Sequence, residues 1–270
     1  GVLNVLAANS EYLGGLQHNR FNFGRFYNRI VHIMRRNRRR KSKANIEEHY
    51  DLSNEFYRTF LDPGMTYSSA YFASGAQSLE SAQLAKLDRM LELSCMPRGG
   101  KLLEIGSGWG SMALRAVETL DCHVKTITLS NEQHALVRER AESSNRLHRI
   151  NVALEDYRDQ HGAYDAIVSC EMIEAVGKEY LDNYFEVIRR CLKPGARAVV
   201  QVITIPDERY DSYSKGCDWI QKYIFPGGHL PSVGALRESM DRAGLNEVSI
   251  DSFGKDYART LNIWQKSFLE

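Results

Sequence analysis

The apolar run Leu102-Leu103-Glu104-Ile105 stops at three glycines on alternate positions, Gly106-Ser107-Gly108-Trp109-Gly110. The run predicts a buried strand, the glycines a tight turn, and Ser111 the start of a helix. A turn without side chains lets a ligand lie against the backbone, and the helix start offers unpaired N–H groups. Together these features describe a nucleotide-type ligand site at the mouth of a doubly wound α/β sheet.

The rest of the chain agrees with such a sheet. Strand-like runs at 101–105, 124–129, 150–154, 164–169 and 197–205 alternate with helical patterns at 111–120, 131–144 and 178–192, the last closed by Pro194-Gly195. A helical pattern at 79–93 precedes them. An insertion rich in Tyr, Trp and Gly (206–230) breaks the alternation, and a helix (232–243) and a strand (246–253) restore it. This order predicts right-handed βαβ units and a mainly parallel, Rossmann-like sheet. A chain of 270 residues suits one large domain with an appendage.

Net charge is only +1 but unevenly spread: residues 1–48 hold ten Lys/Arg against three Glu, and the remainder 25 against 31 acids. Within this basic N-terminal segment, Phe23, Phe26, Tyr27, Ile30 and Met34 share one face of a helix, followed by Arg35, Arg36, Arg38, Arg39, Arg40, Lys41 and Lys43. Such a helix suits an anionic membrane surface, each nearby cation adding roughly 1 kcal/mol. Packing against its own domain is an equal reading. A nucleic-acid arm is a weaker one, because no base-reading module follows. No apolar run approaches the ~20 residues that span a bilayer, and no signal-peptide pattern opens the chain. Cys95, Cys122, Cys170, Cys191 and Cys217 form no C-x-x-C pair, which argues against structural zinc and for a reducing compartment. The expected location is cytoplasmic, peripheral to the membrane.

The ligand is narrowed by elimination. A dinucleotide turn wants a third glycine where Ser111 stands, and an acid after the second strand where Thr128-Leu129-Ser130 stands. No Gly-Lys-Ser/Thr follows, so a P-loop is excluded. Glu-x-Gly-x-Gly-x-Gly remains, the pattern of the first motif of class I methyltransferases, which bind S-adenosylmethionine. Glu104 or backbone carbonyls would accept from the ligand's ammonium. The alternative is a glycine turn holding no ligand.

Six further motifs occur in one order: His49-Tyr50-Asp51-Leu52-Ser53-Asn54-Glu55-Phe56-Tyr57, Met65 to Phe72, Thr128-Leu129-Ser130-x-x-Gln133, Glu171-Met172-Ile173-Glu174-Ala175-Val176-Gly177, Tyr223 to Ser232, and Asp256-Tyr257-x-Arg259-Thr260-Leu261. Over residues 45–268 the chain resembles the cyclopropane fatty acid synthase family, with a plant-like Gln-x-Ile-Thr-Ile-Pro-Asp-Glu-Arg-Tyr segment at 201–210. The resemblance implies a methyltransferase domain over 49–270 with an aromatic cap at 49–75. It implies S-adenosylmethionine held by Tyr67, Ser68, Glu104, Gly106, Ser107, Gly108, Trp109, Gly110, Thr128, Leu129, Gln133, Leu154 and Glu155, with Asp156 a rival to Glu155 beside the adenine.

The implied reaction is methyl transfer to the cis alkene of an unsaturated acyl chain, in phospholipid, closing a cyclopropane. A bound bicarbonate would serve as base, held by Ser69, Glu174, Gln201, Ile203 and Tyr257. Ser69 and Gln201 replace a Cys and a His of the better-known pattern. Both still donate hydrogen bonds, but Gln does not titrate as His does. Methyl or methylene branching, or methylation of a small molecule, is therefore the alternative product. A non-catalytic subunit retaining the fold is a second alternative, and bland roles for Glu174 (a helix cap) and Tyr257 (core) stay open. The family's closing antiparallel strand is absent from the chain, so an open sheet edge is expected to pair with a second copy or a partner.

Overall fold

A computed structural model describes residues 53–72, 78–216, 221, 225 and 227–270. The basic segment at 1–48, His49 to Leu52 and much of the insertion lie outside the described residues.

Five parallel strands form one sheet in the order β3-β2-β1-β4-β5. They are β1 (Lys101–Ile105), β2 (His123–Thr128), β3 (Ile150–Leu154), β4 (Tyr164–Cys170) and β5 (Leu192–Gln201). The helices are α1 (Asn54–Arg58), α2 (Leu79–Ser94), α3 (Ser111–Leu120), α4 (Asn131–Ser143), α5 (Leu181–Cys191), α6 (Asp207–Ser214), α7 (Val233–Arg242) and α8 (Gly254–Leu269). Strand alternation splits β1 between two cores, as its period of two requires. Leu102 joins Val124, Val168, Leu91, Met112, Ala116 and Val137 on one face, packed by α2, α3 and α4. Leu103 and Ile105 join Ile127, Ile167, Phe185, Ile188 and Leu236 on the other, packed by α5 and α7.

The order reverses between β1 and β4, so their carboxyl ends open a crevice. Ser130 caps α4 by accepting from the Gln133 N–H, which fixes Gln133 beside that crevice.

Three expected boundaries are corrected. The run 246–253 forms no strand: Val248 and Ile250 are exposed, and Glu247 and Asp251 are tied to Arg237 and Arg89. Its alternating apolar residues supply strand propensity, but no ladder partner meets them. The last strand covers 192–201 rather than 197–205. Leu192 pairs with Tyr164 and Arg197 with Ala166, so Pro194-Gly195 falls in a register shift inside β5 instead of ending a helix. Beyond Gln201 only an isolated bridge, Ile205 with Ser232, continues the pairing. The helix at 178–192 opens as a 3₁₀ turn, Lys178–Tyr180, before α5. Among the described residues no strand follows β5, and α8 lies over the crevice instead.

Candidate active site

The glycine turn forms one wall of the crevice. Gly106 and Gly108 have φ of +91° and +47°, a region only glycine enters freely. A Cβ on Gly106 would lie 2.9 Å from Met172 Cγ, whereas one on Gly108 meets no protein atom within 4 Å. Gly108 therefore borders open space along the cavity. Tyr67, Ser68, Glu104, Gly106, Ser107, Gly108, Trp109, Thr128, Leu129, Gln133 and Glu155 all line this single cavity. Thr128 Oγ1 donates to Gln133 Oε1 at 2.7 Å, pinning the far wall.

Two expected lining residues do not reach it. Leu154 ends β3 with 40% of its surface exposed, because the pleat turns it outward. Gly110 instead starts α3 at φ +91° and abuts Val137, where a Cβ would sit 3.0 Å from Cγ1. Glu155 lines the cavity while bonded to Lys125 at 2.7 Å and to Gln160 at 2.8 Å, contacts that lower its pKa. Asp156 also lines it, paired with Arg158 at 2.5 Å.

Glu104 is buried on the cavity floor. Burial lifts its pKa to about 8, Thr126 beside it offsetting only part, and its Oε2 has no hydrogen-bond partner among the described residues. An unpaired buried acceptor of this kind asks for a donor from a ligand.

The residues expected to hold an anion converge at the carboxyl ends of β4 and β5. Glu174 Oε1 accepts the Ile203 N–H at 2.5 Å. Burial and the neighbouring Glu171 charge raise Glu174 to about 8. Gln201 is buried at the end of β5. The Tyr257 hydroxyl is pushed well above its ordinary pKa by burial and by Glu171, so it stays protonated. The Ser69 hydroxyl is turned to the Ala70 carbonyl, 3.1 Å away, rather than toward this cluster.

The sequence reading missed several groups. Glu171 stands among them, with Oε1 accepting from the Ser69 N–H and from Gln201 Nε2, both at 2.8 Å. Its acid at a strand end, inside a quoted motif, was the available signal. Lys86 is buried and donates to Ser68 Oγ, while Gln83 Nε2 donates to the Thr66 and Ser68 carbonyls. These polar residues interrupt the apolar stripe of α2, three apart, which marks them as inward-facing. Trp264 of α8 stacks on Tyr67 at 5.4 Å and 28°, and Tyr57 packs on Trp109 at 4.6 Å. Asn54 Oδ1 accepts from Trp109 Nε1 at 2.8 Å, so α1 and α8 both support the aromatic wall.

Comparison with known proteins places the chain in a family. The family model for mycolic acid cyclopropane synthetase matches residues 37–270. The chain belongs to that family. It is 40% identical over 240 residues to the tuberculostearic acid methyltransferase of Mycobacterium tuberculosis, covering 86% of the chain and 56% of that protein. It is likewise 40% identical over 223 residues to the cyclopropane-fatty-acyl-phospholipid synthase of Escherichia coli K12, covering 83% and 56%. The chain thus spans little more than half the length of these two relatives. A solved structure of the mycolic acid cyclopropane synthase CmaA1, complexed with SAH and CTAB, superposes with a TM-score of 0.77 at 34% identity, covering 83% and 82% of the two chains.

Proposed function

We propose that this chain transfers a methyl group from S-adenosylmethionine to the cis double bond of an unsaturated fatty acyl chain, in phospholipid, closing a cyclopropane ring. The observation that carries the reading is one cavity with two unlike ends. One end is a glycine turn with an unpaired buried acceptor, and the other holds Tyr67 and the buried Glu171, with buried Glu174 beside Glu171 but outside the lining.

The donor fits the first end. An ammonium group would satisfy Glu104 Oε2 and favour its ionised form, and the space over Gly108 leaves a ribose room against the backbone. Thr128 and Gln133 offer polar edges further along. When bound, the donor supplies an electrophilic methyl group.

The chain's own residues supply the rest. An alkene is a poor nucleophile, so Tyr67 and Trp109, held by Tyr57 and Trp264, must fix its carbon against the methyl group. Their ring faces stabilise developing positive charge without acting as nucleophiles. Raised pKa values keep the hydroxyls of Tyr67, which lines the cavity, and of nearby Tyr257 protonated.

Bicarbonate fits the second end poorly. Ile203 N–H already serves Glu174, and Gln201 Nε2 already serves Glu171 and the Ser69 carbonyl. A free anion there would face the Glu171 carboxylate.

Methylene or methyl branching is the second reading, favoured by the 40% identity to a tuberculostearic acid methyltransferase. The two readings share methyl transfer and loss of a proton from the new methyl group, and they differ in whether the ring closes directly or a hydride first shifts to the cationic carbon, leaving an exocyclic methylene. Incubation with labelled donor and oleoyl phospholipid separates them. Gain of one CH2 with loss of olefinic signals and new upfield ring protons supports cyclopropanation. A surviving exocyclic alkene supports branching, and calorimetry showing no donor binding would sink both.

The basic N-terminal segment supports docking on an anionic membrane surface. No helix among the described residues is long and apolar enough to cross a membrane.

A further inference from the structure

We propose that the Glu171 carboxylate is this chain's built-in proton acceptor, standing where an exogenous bicarbonate would otherwise be held. The inference rests on the methyl-transfer reading above.

Glu171 follows β4 directly, at the point where the sheet order reverses, and it lines the cavity together with Ser68 and Cys170. Its φ is +46°, a left-handed conformation that strains a residue with a side chain and collects at functional sites. The backbone is held there by the Glu171 N–H donating to the Gln201 carbonyl at 2.8 Å. Two residues expected to hold a free anion hold this side chain instead, Ser69 through its backbone N–H and Gln201 through Nε2, each 2.8 Å from Oε1.

Two carboxylates in one enclosure do not both ionise readily. Burial and the Glu171 charge hold Glu174 up at about 8, so Glu174 is mostly protonated at neutral pH. Burial raises Glu171 as well. Against that, the buried Lys86 ammonium, the Ser69 N–H and the Gln201 amide all favour its ionised form. Tyr257 and Tyr67 stay neutral, and the Cys170 thiol, raised by burial, does too. The Glu171 charge raises Glu174 and not the reverse, so of the two carboxyl groups the one that lines the cavity gives up its proton first.

The step balances without a further reactant. The methyl carbon bonds to one alkene carbon as its bond to sulfur breaks, leaving a neutral thioether and a carbocation on the acyl chain. Glu171 takes one proton from the new methyl group, and the released C–H electron pair closes the ring. The carboxylic acid then returns its proton to solvent once product leaves.

The test uses the full chain in carbon-dioxide-depleted buffer. Added bicarbonate should leave wild-type turnover unchanged. Glu171→Gln should lower kcat ~100-fold or more, the scale of a lost general base, with donor affinity retained. Glu171→Gly, which suits the left-handed backbone, should regain turnover as bicarbonate is added. Titration of [13C]bicarbonate followed by NMR should show broadening with Glu171→Gly and none with wild type. Wild-type turnover that stops without bicarbonate, bicarbonate broadening by wild type, or an unimpaired Glu171→Gln variant would each overturn the proposal. If wild type leaves every unsaturated lipid untouched, the substrate reading fails separately, and the bicarbonate titration still decides whether Glu171 occupies the anion's place.

Discussion

Trp264 of α8 lies stacked on Tyr67, their ring centroids 5.4 Å apart and planes 28° from parallel. Tyr67 lines the cavity and Trp264 does not, so Trp264 acts on the site through Tyr67. Three backbone ties reinforce it. Thr260 Oγ1 accepts from the Ala70 N–H at 3.1 Å, Asp256 Oδ2 accepts from the Phe72 N–H at 3.0 Å, and Thr260 donates to the Asp256 carbonyl at 2.8 Å. Truncation by Trp264→Ala should cost ~3–5 kcal/mol of stability and loosen Tyr67, weakening donor binding. Trp264→Phe should cost much less. It keeps a ring face, and the indole N–H it removes is buried with no partner among the described residues. Urea unfolding and calorimetric titration with S-adenosylmethionine check both variants.

Gly106 and Gly108 separate folding from binding. Gly106→Ala forces a Cβ to 2.9 Å from Met172 Cγ as well as straining φ, so it should lower both stability and affinity. Gly108→Ala meets no protein atom. It should lose only the ~1–2 kcal/mol of a left-handed alanine from stability, while donor affinity falls by a larger factor. Equal losses of affinity and stability at Gly108 would contradict the cradle.

The ligand-free protein should lose stability as pH rises through neutrality. Glu104 and Glu174 both have folded pKa values raised from 4.5 to about 8. A raised folded value means the unfolded chain releases these protons first. Their contribution is therefore fully present below about 4.5 and lost progressively up to about 8. Glu104→Gln should flatten part of that slope. Saturating S-adenosylmethionine should do so in wild type, because its ammonium favours ionised Glu104. Chemical unfolding at a series of pH values, with and without donor, reads the effect.

Membrane docking is a prediction about residues ahead of the described fold. Replacing Arg35, Arg36, Arg38, Arg39 and Arg40 by neutral residues should weaken binding to anionic vesicles, and salt should weaken it in the unaltered chain. Vesicle sedimentation that changes with neither would remove the electrostatic anchor.

The local pattern of the chain carried the sheet and the donor end of the site. Leu102 to Gly110 could only be strand, turn and helix, since apolar period and glycine punctuation act over neighbouring residues. Helix α3 accordingly starts at Ser111, as that punctuation requires. The family resemblance brought Glu174, Gln201, Ile203 and Tyr257 into consideration together. What local pattern could not carry was anything set by distant partners. Residues 246–253 have strand propensity but no neighbouring edge, and Leu154 points outward because of the pleat it inherits from β3. Lys86, from a helix far back in the chain, reaches Ser68 only once α2 is laid on the sheet. Above all, only the folded chain puts Glu171 between Ser69 and Gln201. A hydrogen bond between residues 102 positions apart depends on how β4, β5 and the cap are stacked, which no single segment records. The glycine turn points to the methyl donor, and the tertiary contacts around Glu171 set the electrostatics that receive the proton.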